Sequence, residues 1–313
     1  MANTRAEAFA PATVANLGVG FDILGLALQE PGDTVLVERR DEPGAVIARI
    51  VGDGGKLTHD PSKNTASVAA QATLKLIGTS AGVAITLFKD LPLASGLGSS
   101  AASAVAAAVA VNALFGSPLT CEELMPACIE GEAAVSGYHA DNVAPCLFGG
   151  VVLVAGTAAN QIFRLPIPEN LHLALVTPDV AVPTAMARAV LPKTVELHDM
   201  VVQTAAVARL LNALHRGDVA DMAAAMELDI VIEPARAHLM PMLPEIRAAA
   251  KSAGALGVVI SGAGPTLCAV CDNTQTAEAV ARVMQSVYTA KGIACVTRCT
   301  QISPVGARIL SQD

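Results

Sequence analysis

Tryptophan is absent from this chain, and only two tyrosines and six phenylalanines are spread over its 313 residues. Ala, Val, Leu and Ile must therefore fill the core. Charge is sparse too, with 15% of residues charged against 53% hydrophobic, so a sizeable core is assured. Net charge is −8 and no basic cluster occurs, which argues against nucleic acid or an anionic membrane as partner. No apolar run reaches the ~18 residues that suggest a membrane span without a polar break. Seven cysteines, an odd and small number, argue against a disulfide framework. Cys268 and Cys271 have metal-knuckle spacing, with Cys295 and Cys299 further on. Thr266–Cys271 reads as a strand, however, where residues three apart face opposite sides, so buried thiols are the better reading. The chain starts on Phe9-Ala10-Pro11 with no h-region or Arg/Ser-rich leader, and a cytoplasmic location is the expectation.

What is present is organised around Pro92 to Ala102: Pro92, Leu93, Ala94, Ser95, Gly96, Leu97, Gly98, Ser99, Ser100, Ala101, Ala102. The β-branched run Val83–Phe88 precedes it and an Ala/Val segment, Ser103–Leu114, follows, which reads as strand, Gly/Ser loop, helix. Gly96 and Gly98 permit backbone angles closed to other residues and let a ligand reach the main chain. Ser99 and Ser100 bring hydroxyls to a helix start whose free N–H groups attract anions. Such a loop is a phosphate cradle, although a plain Gly-rich turn has the same composition. It lacks the Lys of a Walker loop, and although it satisfies G-x-G-x-x-A, the Rossmann strand runs straight into its first glycine; here Lys89, Asp90, Pro92 and Ser95 intervene.

In chain order, Ala6–Ala10 reads as an extended run that breaks at Pro11 into a loop carrying Asn16 and Asp22, through Asp22 itself. Thr34–Arg39 and Ala45–Val51 read as strands. Thr65–Ile77 reads as a helix, with Ser62 or Asn64 as cap and Gly78 as stop. Thr120-Cys121-Glu122-Glu123 is a capping box opening a helix that carries Glu130 and Glu132 and ends near Ser136-Gly137. Tyr138 to Pro145 packs His139, Asp141 and Asn142 between apolar segments. Beyond Pro166 and Pro168, Leu171–Val176 is a strand and Ala185–Leu191 a short helix with Arg188. Helices over Val201–His215 and Val219–Ile230 precede Glu233-Pro234-Ala235-Arg236. A helix at Glu245–Ser252 leads to strand Leu256–Ile260, the loop Ser261 to Thr266 and strand Leu267–Val270. Helix Ala277–Ala290 and a last strand, Ala294–Arg298, close the chain.

Three loops, Pro11 to Asp22, Pro92 to Ala102 and Ser261 to Thr266, together resemble the signature motifs of the GHMP kinase superfamily, which phosphorylates small-molecule alcohols with ATP. His139-Ala140-Asp141-Asn142-Val143-Ala144-Pro145, with Arg188 and Arg236, is similar to the homoserine-phosphorylating branch. The resemblance covers about residues 8 to 310. It implies an α+β, two-domain GHMP kinase fold: a ribosomal-protein-S5-like N-terminal domain over residues 1–165 and a ferredoxin-like α/β sandwich over 166–313, with the site between. It implies that Pro92 to Ala102 wraps the ATP phosphates, that Asn64 lies near the adenine, and that Ser100 and Glu132 ligate Mg2+, Glu130 being the rival carboxylate. Asn16, Asp22, His139, Asp141 and Asn142 would hold the amino-alcohol end of L-homoserine. Arg188 and Arg236 would clamp its carboxylate, and Gly262 to Gly264 would close the site. Asn142 stands where several relatives carry a catalytic Asp, so transfer without a strong enzymic base is expected. A homodimer is the common state of the family.

Three rivals stay in view. A Rossmann oxidoreductase needs an acid ~20 positions after the glycines, at a strand end; Asn112 to Thr120 is instead the junction of two helices. A non-catalytic ligand sensor would be expected to damage Ser100 or Glu132, and both are intact. A sister kinase for mevalonate or shikimate would have no ammonium group for Asp22 and Asp141 to meet.

Overall fold

The computed structural model describes residues 3–313. Local rules decide several elements outright. Helix α1 (Thr65–Ile77) starts where the Asn64 side chain accepts a hydrogen bond from the Ala66 N–H, and stops at Gly78, whose φ of 74° is the left-handed turn that glycine supplies. Helix α3 (Cys121–Ser136) opens on the reciprocal Thr120/Glu123 capping box.

In order, the first part of the chain comprises β1 (Arg5–Ala15), β2 (Leu24–Arg40), β3 (Gly44–Val51), α1, β4 (Gly82–Phe88), α2 (Ser99–Leu114), α3, α4 (Val143–Phe148), β5 (Val151–Val154) and β6 (Ile162–Leu165). The second comprises β7 (His172–Pro178), α5 (Thr184–Ala189), α6 (Leu197–Arg216), α7 (Val219–Met226), α8 (Ile232–Arg236), α9 (Leu243–Ser252), β8 (Gly257–Ile260), β9 (Leu267–Cys271), α10 (Thr274–Thr289), β10 (Cys295–Thr300) and β11 (Arg308–Gln312). One seven-stranded sheet runs β11-β1-β2-β4-β3, with β5 added on β2 and β6 on β5. Only its β3–β4 pair is parallel. A second, antiparallel sheet runs β10-β7-β9-β8. The strand feeding the Gly/Ser loop thus lies between antiparallel β2 and parallel β3, which is not the all-parallel setting of a dinucleotide fold.

Two expectations are corrected. The first strand does not end at Pro11; it continues to Ala15 with a register shift between Pro11 and Thr13. Proline cannot donate to a ladder and is tolerated at such an irregularity. The last strand is β11, not β10: the chain returns and pairs Ala6–Phe9 of β1 with residues 308–312. Strand β6, a short exposed edge, also lies outside the expected elements.

Helix α2 is the axle. Residues 101–114 are all buried, and it packs on β1, β2, α1 and α3. Alanine on nearly every face is what lets four neighbours approach. The second sheet is buried on both faces: Leu173, Leu175 and Cys268 join the core around α2, while Ala174, Val176 and Cys271 join a second core with α9 and α10. Cys268 and Cys271 thus point to opposite faces, as strand geometry requires. No helix among the described residues is long and apolar enough to cross a membrane.

Gly131 shows how tight this packing is. A Cβ there would stand 2.8 Å from the Cβ atoms of Ala104 and Ala69 and from the Thr65 carbonyl oxygen. An exposed helix glycine gains up to ~1 kcal/mol on replacement by alanine. Gly131→Ala is expected to lose about 1–3 kcal/mol instead, from overpacking. Urea denaturation reads the sign directly, and a gain in stability would contradict the packing argument.

Candidate active site

The Gly/Ser loop binds the other two signature loops through its own backbone. Gly96 and Gly98 have φ of 80° and 66°. A Cβ on Gly96 would meet the Ser261 carbonyl oxygen at 2.3 Å, and one on Gly98 the Thr13 Oγ1 at 2.0 Å. Around these points the Thr13 N–H donates to Leu97 O (3.1 Å), the Thr266 N–H to Ser95 O (3.1 Å), and the Ser261 hydroxyl to Gly96 O (2.7 Å). The Gly262 N–H donates to Ala15 O (3.2 Å), and the Asn16 amide returns a bond to Gly262 O (2.9 Å). Asn16 and Asp22 themselves sit at positive φ, 72° and 61°. Turn chemistry thus accounts for part of what Asn16 does, since its Oδ1 also accepts the Asp22 N–H.

These contacts wall a cleft of about 510 Å3. Ser95, Gly96, Gly98, Ser99 and Ser100 face it, as do Leu93, Ala94 and Asn64. Pro92, Leu97, Ala101, Ala102 and Gly264 do not line it: Leu97, Ala101 and Ala102 are core residues, and Gly264 packs on Met240. Asn64 is spent locally, capping α1 and donating to Thr58 O.

Carboxylates gather at one side. Glu132 is 5% exposed, whereas Glu130 points to solvent. The Ser100 hydroxyl donates to Glu132 Oε1 at 2.9 Å, and Oε2 is a buried acceptor with no partner. Burial pushes the Glu132 carboxyl up to about 7 against the pull of that hydrogen bond. Asp141 is pushed to about 7 as well, by burial first and by the charge of Asp22 second. An unpartnered buried carboxylate oxygen beside a serine hydroxyl is a pair of hard donors suited to a small divalent cation.

The arginines meet the acids directly. Arg188 forks onto Asp22, Nη2 to Oδ1 at 2.7 Å and Nη1 to Oδ2 at 3.0 Å. Arg236, 3% exposed, donates from Nε to Ala187 O and from Nη1 to Gly262 O. Both guanidinium carbons lie over Phe21, 5.5 and 5.0 Å from the ring centroid. Burial, and then Arg188, hold Arg236 below the usual guanidinium range. His139 Nδ1 is 3.6 Å from Asp22, yet burial and Arg188 keep its pKa below the usual imidazole value. Asn142 accepts the Thr13 hydroxyl at 2.7 Å on Oδ1.

Sequence reasoning missed Lys89 and its partner Asp33. The pair is buried, with side chains 1% and 0% exposed. Lys89 Nζ also donates to the Ser99 carbonyl (2.9 Å) and hydroxyl (2.7 Å) and to Ser103 Oγ (2.9 Å), tying down the first turn of α2. The available signal was a lone lysine one residue past the strand that feeds the loop. Phe21 and Thr13 were hidden among ordinary apolar and turn residues.

The chain matches known proteins along nearly its whole length. Residues 64–150 match the model described as GHMP kinases N terminal domain, and residues 210–290 the one described as GHMP kinases C terminal. A homoserine kinase of Chlorobaculum tepidum is 43% identical, over 97% of this chain and 97% of its own. One of Arabidopsis thaliana is 42% identical over 97% of this chain and 84% of its own. The crystal structure of homoserine kinase from Cytophaga hutchinsonii superposes with a TM-score of 0.93 at 39% identity, covering 98% of this chain and 97% of that one.

The raised Asp141 carboxyl makes a prediction about stability. Its folded value of about 7 exceeds the ordinary 3.8, so the charge costs stability at pH 8, and the cost fades as pH falls through 7 towards 4. The stability of Asp141→Asn relative to the parent should therefore be greater at pH 8 than at pH 5, by about 1–3 kcal/mol. Chemical denaturation of the ligand-free protein at the two pH values measures it; a difference of zero would mean the carboxyl is better solvated than its burial implies.

Proposed function

The chain belongs to the GHMP kinase family and has its two-domain α+β fold, an S5-like unit followed by a ferredoxin-like sandwich, and on that premise we propose that it transfers the γ-phosphate of ATP to the side-chain hydroxyl of L-homoserine. The observation that carries the substrate is the two-ended charge of the cleft. Arg188 and Arg236 stand with Asp22, Asp141 and His139 beside the Gly/Ser loop. A zwitterion needs both signs within a few ångströms, whereas mevalonate or shikimate offers only a carboxylate.

We assign the residues as follows. The loop from Ser95 to Ser100, closing on the N-terminus of α2, receives the phosphates through N–H groups and the positive end of the helix. Lys89 is committed to Asp33, so its part is to hold Ser99 in place. Ser100 and Glu132 would hold Mg2+, which the orphaned Oε2 and the serine hydroxyl fit; bound there, the ion supplies charge neutralisation for the transferred group. Arg236 offers its remaining Nη2 to the substrate carboxylate. Arg188 already forks onto Asp22, so the substrate carboxylate and ammonium insert as a pair alongside an existing pair, the carboxylate towards the arginines and the ammonium towards Asp22 and Asp141. We keep a domain division at 165/166, supported by the change from β6 of the first sheet to β7 of the second, although β11 returns to the first.

No strong base stands at Asn142. Its Oδ1 is taken by the Thr13 hydroxyl, which leaves an amide NH2, a donor. The hydroxyl proton then goes to the phosphate oxygens as the bond to phosphorus forms, positioning and charge neutralisation supplying most of the acceleration.

ATP consumption with Mg2+ should be strongest with L-homoserine among L-homoserine, D-homoserine, L-threonine, mevalonate, shikimate and galactose, with O-phospho-L-homoserine as product. Preference for mevalonate or a sugar would keep the fold and sink the substrate assignment. Nucleotide binding without turnover of any of them would favour a ligand sensor. Arg236→Lys should raise KM for homoserine by roughly 10- to 100-fold, since a point ammonium replaces a planar fork. Asn142→Asp should lower kcat by about tenfold or more, a new anion facing the polyphosphate. Retained turnover with a carboxylate-like pH profile would overturn the base-free step.

A further inference from the structure

A second cleft, about 520 Å3, opens between the edges of the two sheets and shares no wall residue with the first. Phe9 of β1, Glu30 of β2, Asp90 after β4, Arg298 of β10 and Arg308 of β11 surround it. Gly32 floors it, because a Cβ there would come within 2.3 Å of the Phe9 ring and of the Ala10 carbonyl oxygen. The Arg308 guanidinium lies over the Phe9 ring, 4.2 Å from its centroid.

No ion pair forms among the charges of this cleft. Arg5 pairs with Asp313, and Arg209 and Arg216 with Asp221, at other places on the surface. Among the described residues, neither Arg298 nor Arg308 is within ion-pair distance of a carboxylate, and Glu30 and Asp90 are equally without a cation, although all four line one space. Two positive and two negative groups thus face a common volume without forming an ion pair. An inorganic anion entering would meet Glu30 and Asp90; a polyamine would meet the two arginines. A small molecule with a carboxylate and an ammonium on neighbouring atoms satisfies both sets, and the Phe9 ring offers an apolar face for its side chain.

We propose that this cleft is a binding site for a free α-amino acid, separate from the catalytic cleft. It is also mechanically close to the phosphate loop. The Asp90 N–H donates to Asp33 Oδ1 at 3.2 Å; the other oxygen of Asp33 grips Lys89, which holds the Ser99 carbonyl. The proposal does not depend on which alcohol the enzyme phosphorylates.

Ligand-observed NMR with each of the twenty standard L-amino acids, and with inorganic phosphate and spermidine as one-signed probes, tests it. Four proteins are compared: the parent, Arg188→Ala in the catalytic cleft, Arg298→Gln/Arg308→Gln, and Glu30→Gln, each checked for unchanged melting. At least one amino acid should bind the parent and Arg188→Ala alike, and at least tenfold more weakly the double arginine variant and Glu30→Gln. Phosphate and spermidine should give no signal that these substitutions remove. The proposal is overturned if no amino acid binds, if binding disappears with Arg188→Ala, if Arg298→Gln/Arg308→Gln and Glu30→Gln leave it unchanged, or if phosphate alone occupies the cleft. Should the double variant melt early through loss of the Phe9 contact, Glu30→Gln and Arg298→Gln, which leave that contact intact, decide the matter.

Discussion

Everything in this structure depends on two places where the phosphate-loop backbone is approached too closely for it to carry a side chain. At Gly96 the phosphate loop touches the Ser261–Gly264 turn, and at Gly98 it touches Thr13 and Asn142. Segments more than 150 residues apart in sequence are thereby fixed to one loop, and the seven-stranded sheet to the four-stranded one. The register shift in β1 serves the same contact, because it frees the Thr13 N–H for Leu97 O and turns the Thr13 hydroxyl to Asn142. A catalytic constellation assembled from distant loops is only as rigid as such crossings, and a misplacement of about an ångström is enough to cost rate.

The cleft also carries electrostatic costs that the fold must offset. A buried carboxylate is unfavourable unless fully paired, and burial raises both Glu132 and Asp141, Glu132 with one oxygen unpartnered. Lys89 and Asp33 are the contrasting case. Their pair is buried too, but Asp33 accepts the Asp90 and Leu91 N–H groups and Lys89 reaches three oxygens besides, so both ions are satisfied. The satisfied pair holds structure, whereas Glu132 keeps an unpartnered oxygen, which suits the proposed metal role. The close Ala packing around α2 is what can support the difference, since interiors at this density transmit little relaxation.

How much of this was legible in the sequence follows the range of the forces involved. Helix α1 was readable to both ends because Asn64 and Gly78 act on their own neighbours. The Thr120/Glu123 box was readable for the same reason. The loop itself announced its phosphate chemistry through glycine and serine. Strand β11 was not readable, since its five residues are exposed on every side and acquire their partner, β1, only through tertiary folding. The continuation of β1 past Pro11 was masked by a residue that normally ends strands. Lys89, Asp33 and the Arg188–Asp22 fork were beyond reach because each pairs residues far apart in sequence, where composition carries no information about proximity.

Phe21 explains how two arginines can share one small pocket in a chain so poor in aromatics. Like charges at this separation repel, and both guanidinium groups lie about 5 Å from the same ring centroid. The ring face attracts each, Asp22 neutralises one, and two carbonyl oxygens hold the other. The balance is incomplete, because Arg188 Nε has no partner and Arg236 is less comfortable as a cation than it would be in water. On the proposed assignment an entering carboxylate would relieve both, and an ammonium beside it would relieve Asp141, so a zwitterion would satisfy these groups together. Neither a lone anion nor a lone cation would do so, and on that assignment selectivity for an amino alcohol would come from unmet charge on both sides of the cleft and not from shape alone.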